Sequence, residues 1–412
     1  MNKELLRNMD FQLIGAVVFL IVIGIIMIHS ASTGENMESS DIWKKQVVWA
    51  VISFIFMLAV IPIPLKFLYA FSYIFYAIGL ILLIVTEFYG VKGGGSKSWL
   101  YIGPVRFQPS EFVKIATICA LARYLSEKNN RPISFTRCIV PFIIAGIPMA
   151  LVIKQPDLGT ALVFGAIVLP MLYWAGLDTR RLFFIIAPVI SAIITAPFIP
   201  FFHPIEWVFF MFIILAILYY SRYGFSSMGI ILGMNIFAGI AMPYVFNRLA
   251  PYQQKRITTI FNPEGDPLGD GYQILNSQIA IGSGGLFGKG IGKGRFTELG
   301  FLPFAHTDFI FSIIGEELGF AGALVVLLVL IFIVCRGIMI ASGVKNSFTS
   351  IAAIGISTMF AFHMVVNVGM TIGIMPVTGL PLPFLSYGGS SCLSNALMVG
   401  LLLNFKFHRL EY

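Results

Sequence analysis

The 412 residues are 58% hydrophobic and only 11% charged, with 39 Phe and a mean hydropathy of +0.90, which excludes a soluble globular chain and describes a polytopic membrane protein. The formal net charge of +8 would suit a nucleic-acid binder if the chain were soluble, but short-loop cations serve topology in a membrane protein, so no nucleic acid is expected. The four cysteines, Cys119, Cys138, Cys335 and Cys392, fall in apolar runs with no C-x-x-C and no His at ligand spacing, and read as packing residues.

Apolar runs of spanning length occur at 11–30, 43–61, 67–87, 110–126, 137–153, 159–176, 182–199, 205–221, 227–246, 307–335, 350–373 and 385–405, about twelve spans in all. The first follows Lys3 and Arg7, is too long for a signal-peptide core and has no A-x-A site after it, so it is expected to stay attached. Raw Lys and Arg counts on the two sides nearly balance. The short loops decide instead: Arg123, Lys128, Arg131, Arg137, Arg180, Arg181, Arg222, Arg336, Lys345, Lys406 and Arg409 share the side of the N-terminus. That side, with both termini, is therefore expected to be cytoplasmic.

Several outer and threshold segments carry polar chemistry. In 88–109, glycines and Pro104 argue against a helix, Trp99 and Tyr101 are rings suited to a membrane interface, and Ser110 reads as the N-cap of the next span. Glu111 and Lys114, one helical turn apart, read as an ion pair that neutralises buried charge. The run K-Q-P-D-L-G-T places Lys154 and Asp157 at an outer end, where they could form an ion pair or a site, with Pro156 breaking the helix. The long outer loop, 247–305, holds Arg248, Lys255, Arg256, Lys289, Lys293 and Arg295, cations that the positive-inside rule leaves unexplained. Within it, Asp270 and Gln273 resemble a capping box opening a short surface helix with Leu275 and Ile279 on one face.

The glycine-dense stretch G-S-G-G-L-F-G-K-G-I-G-K-G is either a flexible linker or a cradle for phosphate. It is not a Walker A motif, because Gly288-Lys289 lacks the upstream glycine and Gly290 stands where Ser or Thr would be needed. Beyond it, A-H-T-D-F-I-F brings an acid, Asp308, to the threshold of a span. An ionisable group there usually faces protein or a wet cavity and marks function, although a plain helix N-terminus would also favour an acid. His306 alone reads as a hydrogen-bonded structural histidine. Near the C-terminus, P-V-T-G-L-P-L-P-F-L-S-Y-G-G-S-S is broken backbone at a membrane edge, tolerated only where it is buried or lines a cavity. Ser386 within it has no G-x-S-x-G context, which argues against a serine hydrolase.

The segments W-L-Y-I-G-P-V-R-F-Q-P-S-E, K-Q-P-D-L-G-T-A, Y-Q-I-L-N-S-Q-I-A-I-G-S-G-G-L-F-G-K-G, L-P-F-A-H-T-D-F-I-F-S-I-I-G-E-E-L-G and M-P-V-T-G-L-P-L-P-F-L-S-Y-G-G-S-S, in this order, resemble the SEDS-family peptidoglycan glycosyltransferases, the family of RodA, FtsW and SpoVE. The short tails, K-Q-P-D and P-V-T-G-L-P-L-P lie closest to the RodA branch. The resemblance implies an all-α, polytopic integral membrane protein: a SEDS-type helical bundle, one domain over 1–412, with 247–305 as a large extracellular loop. It implies polymerisation of lipid II into glycan, with inversion, on the outer face of the bacterial cytoplasmic membrane, for elongation and cell shape. It also implies a class B penicillin-binding protein, a transpeptidase, as partner, beside the growing glycan chain and membrane lipids. A division- or sporulation-type paralogue, a flippase for the same precursor and a non-catalytic scaffold are the alternatives.

The family's essential aspartate, in H-T-D-F, falls on Asp308. The expected substrate-binding set is Arg106, Lys154, Asp157, Gln278, Lys289, Lys293, His306, Thr307 and Ser386, with no metal held by the protein. A divalent cation, Mg or Mn, would instead ride on phosphate oxygens. Two departures stand out. Phe304 occupies the place of a usual Glu, so that a supporting acid is either missing or supplied by Glu298, and the family usually shows ten spans, so that 182–246 supplies two more. An even addition leaves every motif on its expected side.

Overall fold

The computed structural model describes the chain except for residues 1–8, 33–40, 94–95, 104, 128–134, 199–203, 222–223, 250, 260, 266–268, 295–300, 303–304 and 411–412. Its contacts gather into two compact units, one made of 1–176 with 273–412 and the other of 177–272. The larger unit begins with α1 (Phe11–Ala31), α2 (Ile42–Val60) and α3 (Leu65–Tyr89). A small sheet follows, then α4 (Pro109–Ser126), α5 (Phe135–Lys154) and α6 (Leu158–Trp174). The smaller unit holds α7 (Thr179–Ile194), α8 (Pro204–Tyr220), α9 (Phe225–Arg248) and α10 (Pro251–Thr258). Helix α11 (Asp270–Ser283) leads back into the larger unit, which is completed by α12 (Ile310–Glu317), α13 (Gly319–Gly343), α14 (Ser347–Thr371) and α15 (Gly389–Phe407). A helix stands at each expected apolar run, and among the described residues seven are long and apolar enough to cross a membrane. The chain is a multi-pass helical membrane protein.

Lipid is as apolar as leucine, so helices in it are held by close packing and by polar contacts rather than by expulsion of water. Both occur in the larger unit. A Cβ on Gly400 of α15 would meet the Met57 carbonyl of α2 at 2.6 Å, so only glycine allows that approach. One turn further along α15, Asn404 donates to the carbonyls of Val60, Ile61 and Ile63 at 3.1, 2.9 and 2.7 Å, satisfying the end of α2. Asp10 caps α1 by accepting from Leu13 N at 3.2 Å and pairs with Arg336 of α13 and Lys406 of α15 at 2.6 and 2.9 Å. In the smaller unit, α9 packs on α7 and α8, and Ser191 donates to Asn235 at 3.0 Å in a buried contact. Arg256 of that unit pairs with Asp270 at 3.2 Å.

Three expectations need correction. The apolar run 307–335 is not one helix: α12 ends at Glu317 and α13 starts at Gly319, whose φ of +68° favours glycine and turns the chain between them. Between α3 and α4 the described chain is non-helical, as expected, and forms a small sheet of β1 (Val91–Gly93), β2 (Ser96–Ile102) and β3 (Val105–Phe107), antiparallel in that order, with Val91 opposite Trp99 and Tyr101 opposite Arg106. Ser110 does not cap α4, which opens at Pro109 after Gln108, because proline at the first position needs no donor. Cys119, Cys138 and Cys392 are buried as packing residues, but Cys335 is exposed on α13. Arg222, Arg295, Glu298 and Phe304 lie outside the described residues.

The helix break also rests on close contact. A Cβ on Gly319 would lie 2.2 Å from the Gly288 amide nitrogen, whereas one on Gly285, at φ +57°, would meet nothing within 4 Å. A left-handed alanine costs about 1–2 kcal/mol by itself, so Gly285→Ala should lower stability by that much and Gly319→Ala by clearly more. Thermal unfolding of both purified variants checks this, and equal losses would show that the contact adds nothing.

Candidate functional site

Asp308 sits in the turn before α12, half-buried, one residue outside the helix, with Phe309 in the N-cap position. Its main chain is fixed by Asn367 of α14, whose amide donates to the Asp308 carbonyl at 3.0 Å and to the Leu380 carbonyl at 2.8 Å. A Cβ on Gly379, itself at φ +71°, would lie 3.6 Å from Asp308 Oδ2. The carboxylate therefore faces the broken segment between α14 and α15. That segment carries Pro376, Pro381 and Pro383, and buried Phe384 is held at φ +66°, a conformation that a non-glycine residue keeps only when its surroundings enforce it. Ser386 is a structural member of it, accepting from Leu382 N at 2.8 Å. Tyr387 N donates to the His306 carbonyl at 2.9 Å, and the two rings meet edge-on at 5.9 Å. Burial pushes the His306 pKa below its ordinary value, so the ring is neutral at pH 7.

Beneath this segment lies a buried polar cluster. Lys114 donates to Glu111 Oε1 at 2.7 Å, Ser394 donates to Glu111 Oε2 at 2.8 Å, and Lys114 reaches His363 Nε2 at 3.2 Å. The other ring nitrogen of His363 bonds the Pro381 carbonyl at 3.1 Å. The expected Glu111–Lys114 ion pair is thus present, with both side chains at 2% exposure or less.

The small sheet and the start of α6 close in from another direction. Gln108 donates its backbone N–H to Ser390 Oγ at 3.1 Å and its side-chain amide to Asp157 Oδ2 at 3.4 Å. Asp157 caps α6 by accepting from Thr160 N at 3.0 Å, which uses it structurally, and a Cβ on Gly159 would collide with the Thr378 carbonyl at 2.4 Å. Arg106 is exposed on β3, which packs on α15, and donates to the Tyr101 hydroxyl at 2.7 Å. Lys154 is exposed at the end of α5.

The glycine-dense loop is neither a linker nor an open cradle. Lys289 N and Gly290 N donate to the Glu316 and Glu317 carbonyls at 3.0 Å each, Phe320 N and Ala321 N return bonds to Gly285 and Leu286 at 2.9 and 3.0 Å, and Gly292 N donates to Glu317 Oε2 at 3.2 Å. Ser30 of α1 also bonds the Glu317 carboxylate. Lys289 pairs with fully buried Glu316 at 2.7 Å. It therefore sits at the far end of α12 from Asp308, about 12 Å away at 1.5 Å per residue. Lys293 is exposed on the same loop. Gln278 of α11 donates to the Ile372 carbonyl at 3.0 Å, at the end of α14, and Thr307 is half-buried beside Asp308.

The structure thus brings Asp308, His306, Thr307, Ser386, Asp157 and Arg106 around one broken segment and sets Lys289 and Lys293 apart. The sequence reading passed over His363, Asn367 and Tyr387, and took Tyr101 only as a membrane-interface ring. A signal existed for the first two: polar side chains one turn apart in an apolar helix.

A family profile described as a cell cycle protein, FtsW/RodA/SpoVE, matches residues 11–203 and 206–411. The chain belongs to the FtsW/RodA/SpoVE family. It is 35% identical to the peptidoglycan glycosyltransferase RodA of Treponema pallidum, covering 98% of both chains, and 35% identical to the stage V sporulation protein E of Bacillus subtilis, covering 96% of both. The Escherichia coli peptidoglycan glycosyltransferase MrdB is 32% identical over 95% of this chain and 93% of its own. Among solved structures, a chain of a peptidoglycan synthase complex that coordinates polymerization and crosslinking aligns with a TM-score of 0.72 at 24% identity, over 98% of this chain and 99% of that one. The rod shape determining protein RodA of Thermus thermophilus aligns at 0.65 and 24% identity over 98% of each chain. These two likenesses establish the family's membrane fold.

The packing of the glycine-dense loop generates a test. Removing the cation of a buried pair strands its carboxylate, at a cost of about 3–5 kcal/mol when the pair is fully buried and less when, as for Lys289, the cation is partly exposed. Lys289→Ala should therefore lower the melting temperature well beyond Lys293→Ala. Matching unfolding curves for the two variants would return Lys289 to the set of cations free for a ligand.

Proposed function

We propose that this chain polymerises lipid II into glycan strands on the outer face of the cytoplasmic membrane, with both termini cytoplasmic and Asp308 as the general base. The observation that carries this reading is the Asp308 carboxylate held against Gly379 of a broken segment whose backbone is immobilised from α14. Sugar transfer from a lipid pyrophosphate needs the attacking 4-hydroxyl to lose its proton as the new bond forms, and it needs the departing pyrophosphate's negative charge to be stabilised. Asp308 takes the proton. Attack from the face opposite the leaving group inverts the anomeric centre. Arg106, exposed on β3, and Lys154, exposed at the end of α5, are the cations proposed for the pyrophosphate.

A divalent cation is proposed to be carried on the substrate's phosphates rather than held by the protein. Such an ion, Mg or Mn, would supply charge neutralisation there. The partner proposed is a class B penicillin-binding protein, supported by the likeness to a chain of a synthase complex that couples polymerization to crosslinking. An elongation and shape role is supported by the RodA and MrdB relatives, although the sporulation protein is equally similar.

Asp308→Asn keeps the shape and removes the base, so purified protein given lipid II should lose about 100-fold or more of its polymerisation while still inserting. Near-normal glycan from this variant would defeat the assignment. In a lipid II titration, Arg106→Ala and Lys154→Ala should each weaken substrate use by more than the 1 kcal/mol or less, about fivefold, that an exposed pair is worth. Replacing Lys44 and Lys45, far along the sequence in α2, should change little. The same loss from both sets would mean that only general surface charge matters.

A further inference from the structure

Two polar residues of α14, His363 and Asn367, stand one helical turn apart and both are buried, at 1% and 0% exposure. Between them they grip three main-chain carbonyls. Asn367 holds those of Asp308 and Leu380, and His363 holds that of Pro381, the next residue along. The Leu380–Pro381 step follows Gly379, the residue that faces the Asp308 carboxylate. Consequently one face of α14 sets the position of the acid's backbone and the position of the segment it confronts.

The histidine can hold its carbonyl only in one tautomer. A carbonyl accepts, so Nδ1 must carry the proton, and Nε2 must then present a lone pair. What meets Nε2 is the Lys114 ammonium, a group with donors and no acceptor, at 3.2 Å. That ammonium is in turn fixed by Glu111 at 2.7 Å, and Glu111 by Ser394. A proton on Nε2 would point at the cation and leave the Pro381 carbonyl facing a bare nitrogen.

We infer that His363 and Asn367 are positioning residues for the reaction, forming a two-rung clamp that sets the acid against the broken segment, and that Lys114 acts through His363 by locking its tautomer. No substrate contact is assigned to any of the three. The inference deepens the reading of Asp308 as base, and its kinetic part rests on that reading. Its structural part does not.

Two measurements test it. In 15N-histidine-labelled protein in nanodiscs at neutral pH, the chain's five histidines allow the His363 signal to be assigned by its loss in His363→Gln. It should show the proton on Nδ1, and an Nε2-protonated ring or a mixture would overturn the clamp. The signal is read in the unaltered protein, and His363→Leu serves for the assignment if the Gln variant fails to insert, so the readout decides the clamp even if the wild type makes no glycan. In the kinetic arm, His363→Gln, which keeps one donor and one acceptor, should retain kcat within about threefold, whereas His363→Leu and Asn367→Ala should lower kcat about tenfold or more with KM for lipid II nearly unchanged. A wild-type kcat in the Leu variant, an equal loss in Gln and Leu, or a loss confined to KM would overturn the positioning role. Absence of glycan from the wild type with the Nδ1 tautomer present would instead sink the proposed function and leave the clamp standing.

Discussion

Everything around Asp308 depends on one constraint: backbone that leaves helical geometry at membrane depth must find protein partners for its own polar groups. The segment from Ile372 to Gly388 meets it with side chains drawn from three helices, α11, α14 and α2. Gln278 serves the Ile372 carbonyl, Asn367 and His363 serve Leu380 and Pro381, and Gln46 accepts from Gly388 N at 3.3 Å. Three prolines reduce the demand, because each removes a donor that would otherwise need an acceptor. The result is an irregular stretch with little freedom, packed by Leu380, Leu382, Phe384 and Leu385, all buried. A reacting group placed against such a surface keeps its geometry from one turnover to the next.

The same constraint accounts for a buried charge pair that would otherwise be hard to justify. Taking Glu111 and Lys114 out of water costs several kcal/mol per ion, and their attraction offsets this only when the remaining donors and acceptors are also satisfied. They are, by Ser394 and His363. A pair of apolar residues would pack as well, but it would not fix which nitrogen of His363 bears a proton. The charge is retained, on this account, for the orientation it imposes and not for stability.

Much of this was legible in the sequence, and the remainder was hidden for identifiable reasons. Span positions could be read because hydropathy over some twenty residues is a local property, and Asp308 could be read because an acid at a span's threshold is costly. The break after Glu317 could not. Glu316, Glu317, Leu318 and Phe320 beside Gly319 are all compatible with a helix, and only the glycine-dense loop, folded onto Gly319 through Leu286–Gly288, shows why the chain must turn there. The pairing of Lys289 is hidden for a related reason: its partner, Glu316, lies within an apolar run whose local pattern does not show that it ends there. The sheet was missed because Gly93 makes its first strand look like a loop, although that glycine is needed to admit Trp99, whose ring a Cβ would meet at 2.9 Å. Asn367 and His363 carried a readable pattern that went unused.

These contacts give the short helix α12 a role larger than its length. Its first end carries Asp308, anchored through Asn367 to α14. At its other end, the carboxylates of Glu316 and Glu317 are bound by Lys289, Ser30 and Gly292, and its middle is tied by Ser312, whose hydroxyl lies 2.6 Å from that of Ser277 on α11. A single anchored end would let eight residues of helix pivot. Anchored at both ends and at the middle, α12 is a strut, and the glycine-dense loop is the fitting that secures its far end, its small residues allowing backbone to meet backbone where any side chain would hold the two apart. The basic loop and the acid thus belong to one apparatus, in which Lys289 steadies the end of the strut away from Asp308.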